Sequence, residues 1–250
     1  MIGQYLFPLM FEIINHLLGC PPDIGSRLAR GIAAVLEGNV EDEHARTLDH
    51  TLRQLAAFKR IHPGADITSA LIEHPAQLDN EELSQHILQF YATGIEFELN
   101  LIANALLLIV TDQQFGDEVL GGSLTSRDAI DEVLFNDPPV ANLMTSFPRR
   151  PILIDNVWLP AHQPVLISIA ACNNDPAVRA GEITGNRSHL AWGTGPHACP
   201  ATSMAYEIAT CTIDQLLDVL PEMRADFPDS IPRWRPGPFH RALTALPVAF

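Results

Sequence analysis

Trp192-Gly193-Thr194-Gly195-Pro196-His197-Ala198-Cys199-Pro200 is the stretch that decides how this chain is read. Two glycines let the backbone turn tightly and come close to a flat ligand. Pro200 suits the first position of a helix, where its missing N–H would be unpaired in any case. The stretch therefore reads as a loop delivering Cys199 to a helix N-terminus, where free N–H groups and the helix dipole favour a thiolate. A thiolate is a ligand for iron, and on a haem it favours O–O cleavage. An isolated cysteine so placed is more often a small buried hydrophobe. The sequence around it has to decide between the two.

Downstream, Pro200 opens a helix predicted to run through Leu220, and the Pro- and aromatic-rich tail from Trp234 to Phe250 reads as hairpin-like. Upstream, residues 173–190 lack periodicity and read as irregular. Ile152-Leu153-Ile154 and Val165-Leu166-Ile167 read as strands joined through Leu159-Pro160-Ala161. Ser126 is placed to cap a short helix through Leu134, which Asp137-Pro138-Pro139 ends. Further upstream, Asp79-Asn80 offers an N-cap, Glu81 and Glu82 suit a first turn, and a helical pattern continues to about Val110. That is on the order of 30 residues and roughly 45 Å. A helix so long and apolar is expected to cross the middle of its domain. Three more helices are predicted before it, over 1–18, 24–37 and about 44–61. Gly19-Cys20-Pro21-Pro22 stops the first; Gly38 and the acidic stretch Glu41–Glu43 form the break after the second; Pro63-Gly64 ends the third. The fold class expected is mainly α with small β-sheets (α+β), as one domain over 1–250.

Composition narrows the functions. At 250 residues and 47% hydrophobic, the chain can bury a sizeable core. Lys and Arg number 15 against 30 Asp and Glu, a net charge of -15. Nucleic acid needs basic residues to neutralise phosphate, so it is not expected as a partner. An anionic membrane surface is disfavoured for the same reason. The first basic residue is Arg27, so there is no positive n-region of a signal peptide, and the apolar run 99–110 is too short to span a bilayer. The expected location is the cytoplasm. Cys20, Cys172, Cys199 and Cys211 are widely spaced and read as reduced. No Cys-x-x-Cys pair and no His-Glu-x-x-His helix supports zinc; His162, His189 and His240 match no metal template and read as loop or packed residues.

An aromatic, Gly, x, Gly, x, His, x, Cys resembles the haem-binding loop of the cytochromes P-450. Leu190-Ala191-Trp192-Gly193 extends the resemblance, as do Asp137-Pro138-Pro139-Val140, Leu159-Pro160-Ala161, Asn174-Asp175-Pro176, Trp234-Arg235-Pro236-Gly237-Pro238-Phe239 and Leu246-Pro247-Val248. The long helix at about 83–110 is similar to the family's central helix over the haem. The resemblance covers nearly the whole chain and implies the C-terminal part of the P-450 fold. It implies haem b as cofactor with Cys199 as the iron ligand. Trp192 would pack on the cysteine side of the haem, Gly193 and Gly195 would shape the loop, and His197 would lie near a propionate. Ala201 stands where the family usually has Gly.

Three departures accompany the resemblance. The Glu-x-x-Arg pair keeps Glu132 but has Phe135 in the Arg position. In the family that pair steadies the loop around the cysteine; some bacterial members lack the Arg. In Thr93-Gly94-Ile95-Glu96-Phe97-Glu98, Glu96 fits the acid of the acid–alcohol pair, but Phe97 replaces the threonine, and a phenyl ring relays no proton. The chain is also N-terminally short against the family fold. Arg149 and Arg150 lie near, but out of register with, the family's propionate-binding Arg around Ser146.

The resemblance implies a haem-thiolate monooxygenase acting on a small organic substrate, using O2 and electrons from NAD(P)H through a ferredoxin or flavoprotein reductase. A P-450-like accessory or regulatory haem-binding protein without oxygenase activity stays open beside it, as does a truncated inactive fragment. The apolar positions Ile2, Leu6, Leu9, Ile13 and Leu17, with the long helix, are expected to leave apolar surface exposed for self-association or a partner.

Overall fold

The structure, a computed structural model, describes residues 1–36, 42–177, 186–227 and 231–250. Glu37, Gly38, Glu41 and part of the stretch 173–190 lie outside them. The chain divides into two compact units, one over 3–96 and the other over 1–2 with 97–250.

The unit over 3–96 is helical. A π-helical turn at Ile2–Leu6 leads into α1 (Phe7–Leu17), followed by α2 (Pro22–Leu36), α3 (Asp42–Ile61), α4 (Ile67–Glu73) and the first part of α5 (Asn80–Thr111). On the first helix Leu6, Met10, Phe11, Ile14 and Leu18 are buried; of the positions expected to leave apolar surface exposed, Leu6 is thus buried and Ile2, Leu9, Ile13 and Leu17 are half-buried. Phe11 packs against Tyr91 of α5 with ring centroids 5.8 Å apart, and the Tyr91 hydroxyl donates to Asn15 Oδ1 at 2.6 Å. A Cβ on Gly94 would stand 2.9 Å from Ile14 Cδ1, so glycine permits this close approach of α1 and α5. Lys59 and Asp66 form a 2.5 Å ion pair with side chains only 8% and 7% exposed.

The start of α5 is set by the predicted cap. Asp79 Oδ1 accepts from the N–H groups of Glu81 and Glu82, while Glu82 Oε2 accepts from the Asp79 N–H. That is a reciprocal capping box. By length and hydropathy α5 matches a membrane span, but 61% of its most apolar window is buried within the protein, so it reads as a core helix.

The unit over 97–250 continues with the rest of α5, then α6 (Gln113–Leu120), α7 (Ser126–Asn136), α8 (Ile169–Asn173) and α9 (Thr202–Val219). Among the described residues, three two-stranded antiparallel pairs accompany them: β1 (Met144–Ser146) with β4 (Val165–Ile167), β2 (Ile152–Ile154) with β3 (Val157–Leu159), and β5 (Arg224–Ala225) with β6 (Val248–Ala249). The expected direct link between the strands at 152–154 and 165–167 is corrected. Asp155 and Asn156 have φ of 44° and 65°, the two left-handed residues of a tight hairpin, so β2 turns back on β3. β4 pairs instead with β1, Met144 opposite Ile167. The tail closes as a hairpin-like arm with a Trp234–Leu243 bridge.

Helix α7 is capped by Thr125, not Ser126, through a capping box with Asp128. It packs on α9, with Ile130, Val133 and Leu134 of one and Ala209, Ile213 and Leu216 of the other buried. Exposed large apolar side chains cluster on the short strands instead of on the long helix: Leu153, Ile154, Val157, Trp158, Leu166 and Ile167.

Candidate functional site

The cysteine loop is held by its own backbone. The Gly193 N–H donates to the Leu190 carbonyl at 2.9 Å, the Ala198 N–H to Gly195 at 3.1 Å, and the Cys199 N–H to Trp192 at 2.8 Å. The last bond closes the loop from Trp192 to Cys199. Gly193 and Gly195 have φ of +68° and +70°, where a side chain is strained, so both glycines are required by the turn. Residues Gly195–His197 make one 3₁₀ turn. Among the described residues, nothing lies within 4 Å of a Cβ built on Gly195, which leaves backbone open to a flat group.

Cys199 is half-buried and in no disulfide. The helix after it starts at Thr202, not at Pro200 as expected. Pro200 and Ala201 form a turn, and the Thr202 hydroxyl donates to the Cys199 carbonyl at 2.9 Å. The helix dipole falls off within about one turn, so its pull on Cys199 is weaker than at a first helical residue. Trp192 is half-buried with its ring 5.5 Å from that of Tyr206, and His197 is exposed. The loop thus gathers Trp192, Gly193, Gly195, His197 and Cys199 into one local structure. Glu96 is half-buried on α5 and falls in the other compact unit. Arg149 and Arg150 are exposed.

The donor set suits a haem. One thiol stands alone, and among the described residues no group of three or more His, Cys, Asp or Glu can hold a bare ion. A metal already enclosed by a macrocycle takes a single axial protein ligand, such as Cys thiolate. Behind the loop lie features that motif reading missed. Asn173, fully buried, donates to the Leu134 carbonyl at 2.8 Å and accepts the Leu190 N–H at 2.8 Å, tying the loop's start to the end of α7.

Asp131, 1% exposed, accepts from the Tyr206 hydroxyl and, at 3.0 Å, from Arg187 Nε. Burial would push its carboxyl up, but the bonds from His189, Tyr206 and Arg187 outweigh this and hold it below the ordinary carboxylate range. His189, read from sequence as a loop or packed residue, is buried and 3.7 Å from Asp131. Phe135, in the missing Arg's position, is 1% exposed and sets its ring edge-on to His189 at 5.4 Å. Glu132 is only half-buried and accepts from Asn136 Nδ2 at 2.6 Å, so losing the Arg does not strand it.

On α5, Phe97 is half-buried and its neighbour Glu98 is 6% exposed. Glu98 Oε1 has no hydrogen-bond partner among the described residues, and burial pushes its carboxyl up to about 8.

No protein-family model matches the chain. Curated relatives match along its length. It is 25% identical over 266 residues to a cytochrome P450 of Bacillus subtilis (strain 168), covering 100% of this chain and 65% of that protein. It is 30% identical over 259 residues to the cytochrome P450 monooxygenase PikC of Streptomyces venezuelae, covering 97% of this chain and 61% of that one. Among solved structures, CYP154A1 from Streptomyces coelicolor A3(2) superposes with a TM-score of 0.84 at 28% identity, over 98% of this chain and 65% of that one. The chain therefore spans about 65% or less of the length of these relatives. The helical fold with small sheets is theirs too: the chain's curated homologues are bacterial cytochromes P450, and its structural neighbours are P450 structures that match nearly its whole length.

Proposed function

We propose that this chain carries the haem-thiolate site of a P-450-type monooxygenase acting on a small organic substrate, with Cys199 as the iron ligand. One observation carries the reading. The loop from Trp192 to Cys199, closed by a backbone bond and bent by two left-handed glycines, presents a lone free thiol beside uncovered backbone. The similarity to the monooxygenase PikC supports the reaction class.

When bound, haem b supplies the oxygen-activating chemistry, with electrons from NAD(P)H through a ferredoxin or flavoprotein reductase. The chain's residues have the remaining roles. Cys199 gives up its proton to bind as thiolate. Gly193 and Gly195 keep the backbone free of side chains where the flat ring approaches. Trp192 stiffens the loop against Tyr206, and the exposed His197 is free to pair with a carboxylate of the ligand. The resemblance would make Glu96 the acid of proton delivery, without the alcohol that Phe97 replaces. The location proposed is the cytoplasm.

A second reading, haem binding without oxygenation, is favoured by Phe97 and Phe135 at two positions where the resemblance implies polar side chains. Haem titration of the chain and of Cys199→Ala tests the first reading. Electron paramagnetic resonance should show a thiolate-ligated ferric iron in the parent that is absent from the variant. A signal unchanged by the substitution would reject Cys199.

A further inference from the structure

The cysteine loop is flanked by His189, ten residues before Cys199, and Tyr206, seven after it. Tyr206 bonds an α7 carboxylate directly, and His189 joins it through the Tyr206 hydroxyl. Asp131 Oδ1 accepts the Tyr206 hydroxyl and lies 3.7 Å from His189 Nε2, and His189 Nε2 and the Tyr206 oxygen are themselves 3.2 Å apart. Asp131 Oδ2 is taken by Arg187 Nε at 3.0 Å. Asp131 stands in the middle of α7, which packs on α9 through apolar side chains that do not depend on it. The rings around the carboxylate are held as well. Phe135 sits edge-on to His189, the Arg127 guanidinium lies 4.1 Å over the Tyr206 ring, and Trp192 packs on Tyr206 at 5.5 Å.

We propose that Asp131 is the positioning residue of the Cys199 loop, fixing both its ends to α7 through His189 and Tyr206. This rests on reading Cys199 as a ligand, because it assigns Asp131 the task of holding that thiol in place. A loop anchored at one end samples many positions of its thiol; anchored at both ends to one rigid helix, it samples few. The carboxylate accepts Tyr206 on one oxygen and Arg187 on the other, with His189 bonded to the Tyr206 hydroxyl, and bonds to an ionised acceptor are roughly twice as strong as neutral ones. An asparagine offers a single acceptor oxygen and cannot take Tyr206 and Arg187 on separate oxygens. The Phe135 ring cannot anchor the loop by hydrogen bonds. It contributes by packing His189 into reach of Asp131.

The test uses the full chain without haem and then with it. In Asp131→Asn and in Tyr206→Phe, which keeps the ring, backbone hydrogen exchange over 190–199 should quicken about tenfold, as expected for losing a hydrogen bond to a charged group. Exchange in the middle of α9 should stay as in the parent. Loaded with haem, both variants should show a larger fraction of non-thiolate carbon monoxide absorption. Val133→Ala, a cavity at a buried site on the same helix, controls for general destabilisation and should change neither readout. Quickened loop exchange in a chain whose parent never shows a thiolate spectrum would support the positioning role while rejecting Cys199 as ligand. A thiolate spectrum in the parent, with exchange and spectrum unaltered in both variants, would overturn the positioning role. So would an equal effect from Val133→Ala.

Discussion

Glu98→Gln isolates a carboxyl that the fold keeps protonated. Glu98 is 6% exposed, and burial moves it from an ordinary 4.5 to about 8. The folded state therefore holds a proton that the unfolded state releases above the ordinary value. Its contribution to stability is fully present below that value and is lost as pH rises toward about 8. At about 1.4 kcal/mol per pH unit, the loss between pH 5 and pH 8 is about 4 kcal/mol. Glutamine has nearly the same shape and no charge to develop, so its variant lacks this slope. The assay is urea unfolding of both proteins across that range, taking the difference in unfolding free energy so that all other titrating groups cancel. The expected result is a parent that loses about 4 kcal/mol relative to the variant on going from pH 5 to pH 8. Parallel curves would refute the reasoning, because they would mean that Glu98 titrates as it does in the unfolded chain.

Asp66 should behave in the opposite sense. Burial pushes its carboxyl up, but Lys59 and Ser69 outweigh this and hold it below the ordinary range, so its contribution is present above that range and lost as pH falls. Asp66→Asn breaks a buried pair and should cost about 3–5 kcal/mol in urea unfolding near neutral pH, and a loss under about 1 kcal/mol would count against it. Gly193→Ala forces a side chain into φ +68° with its Cβ 3.2 Å from Met144 Cε, and should cost about 1–2 kcal/mol and quicken haem transfer to apomyoglobin. Unchanged haem retention would contradict the assigned role of the turn. Phe97→Thr should raise the product formed per NAD(P)H consumed, since a positioned proton donor contributes about 10²–10⁴-fold. Tight coupling already present in the parent would oppose that expectation.

Much of the architecture was legible because local chemistry announces it. Asp79, Glu81 and Glu82 mark the start of α5, and the glycines of the cysteine loop mark a turn that the structure closes with the Cys199 N–H. Register was harder. The first helix opens with a π turn of five residues, and no apolar pattern signals such a turn in advance. The pairing of β4 with β1 was missed because three-residue strands carry too little alternation to name their partner. The network around Asp131 was invisible for a different reason. Its partners lie 56 to 75 residues from Asp131 in the chain, and a lone Asp on a helix reads as a solvated face until the fold brings His189 and Tyr206 to it. Asn104 is another such case: buried on α5, it donates to the carbonyls of Asp137 and Arg241 across distant segments.

The most direct test of the account is the carbon monoxide difference spectrum of the reduced, haem-loaded chain beside that of Cys199→Ala. The account predicts thiolate-type absorption in the parent and its loss in the variant, with helical content preserved in both. Haem taken up by the parent without thiolate-type absorption, or thiolate-type absorption surviving in Cys199→Ala, would contradict it.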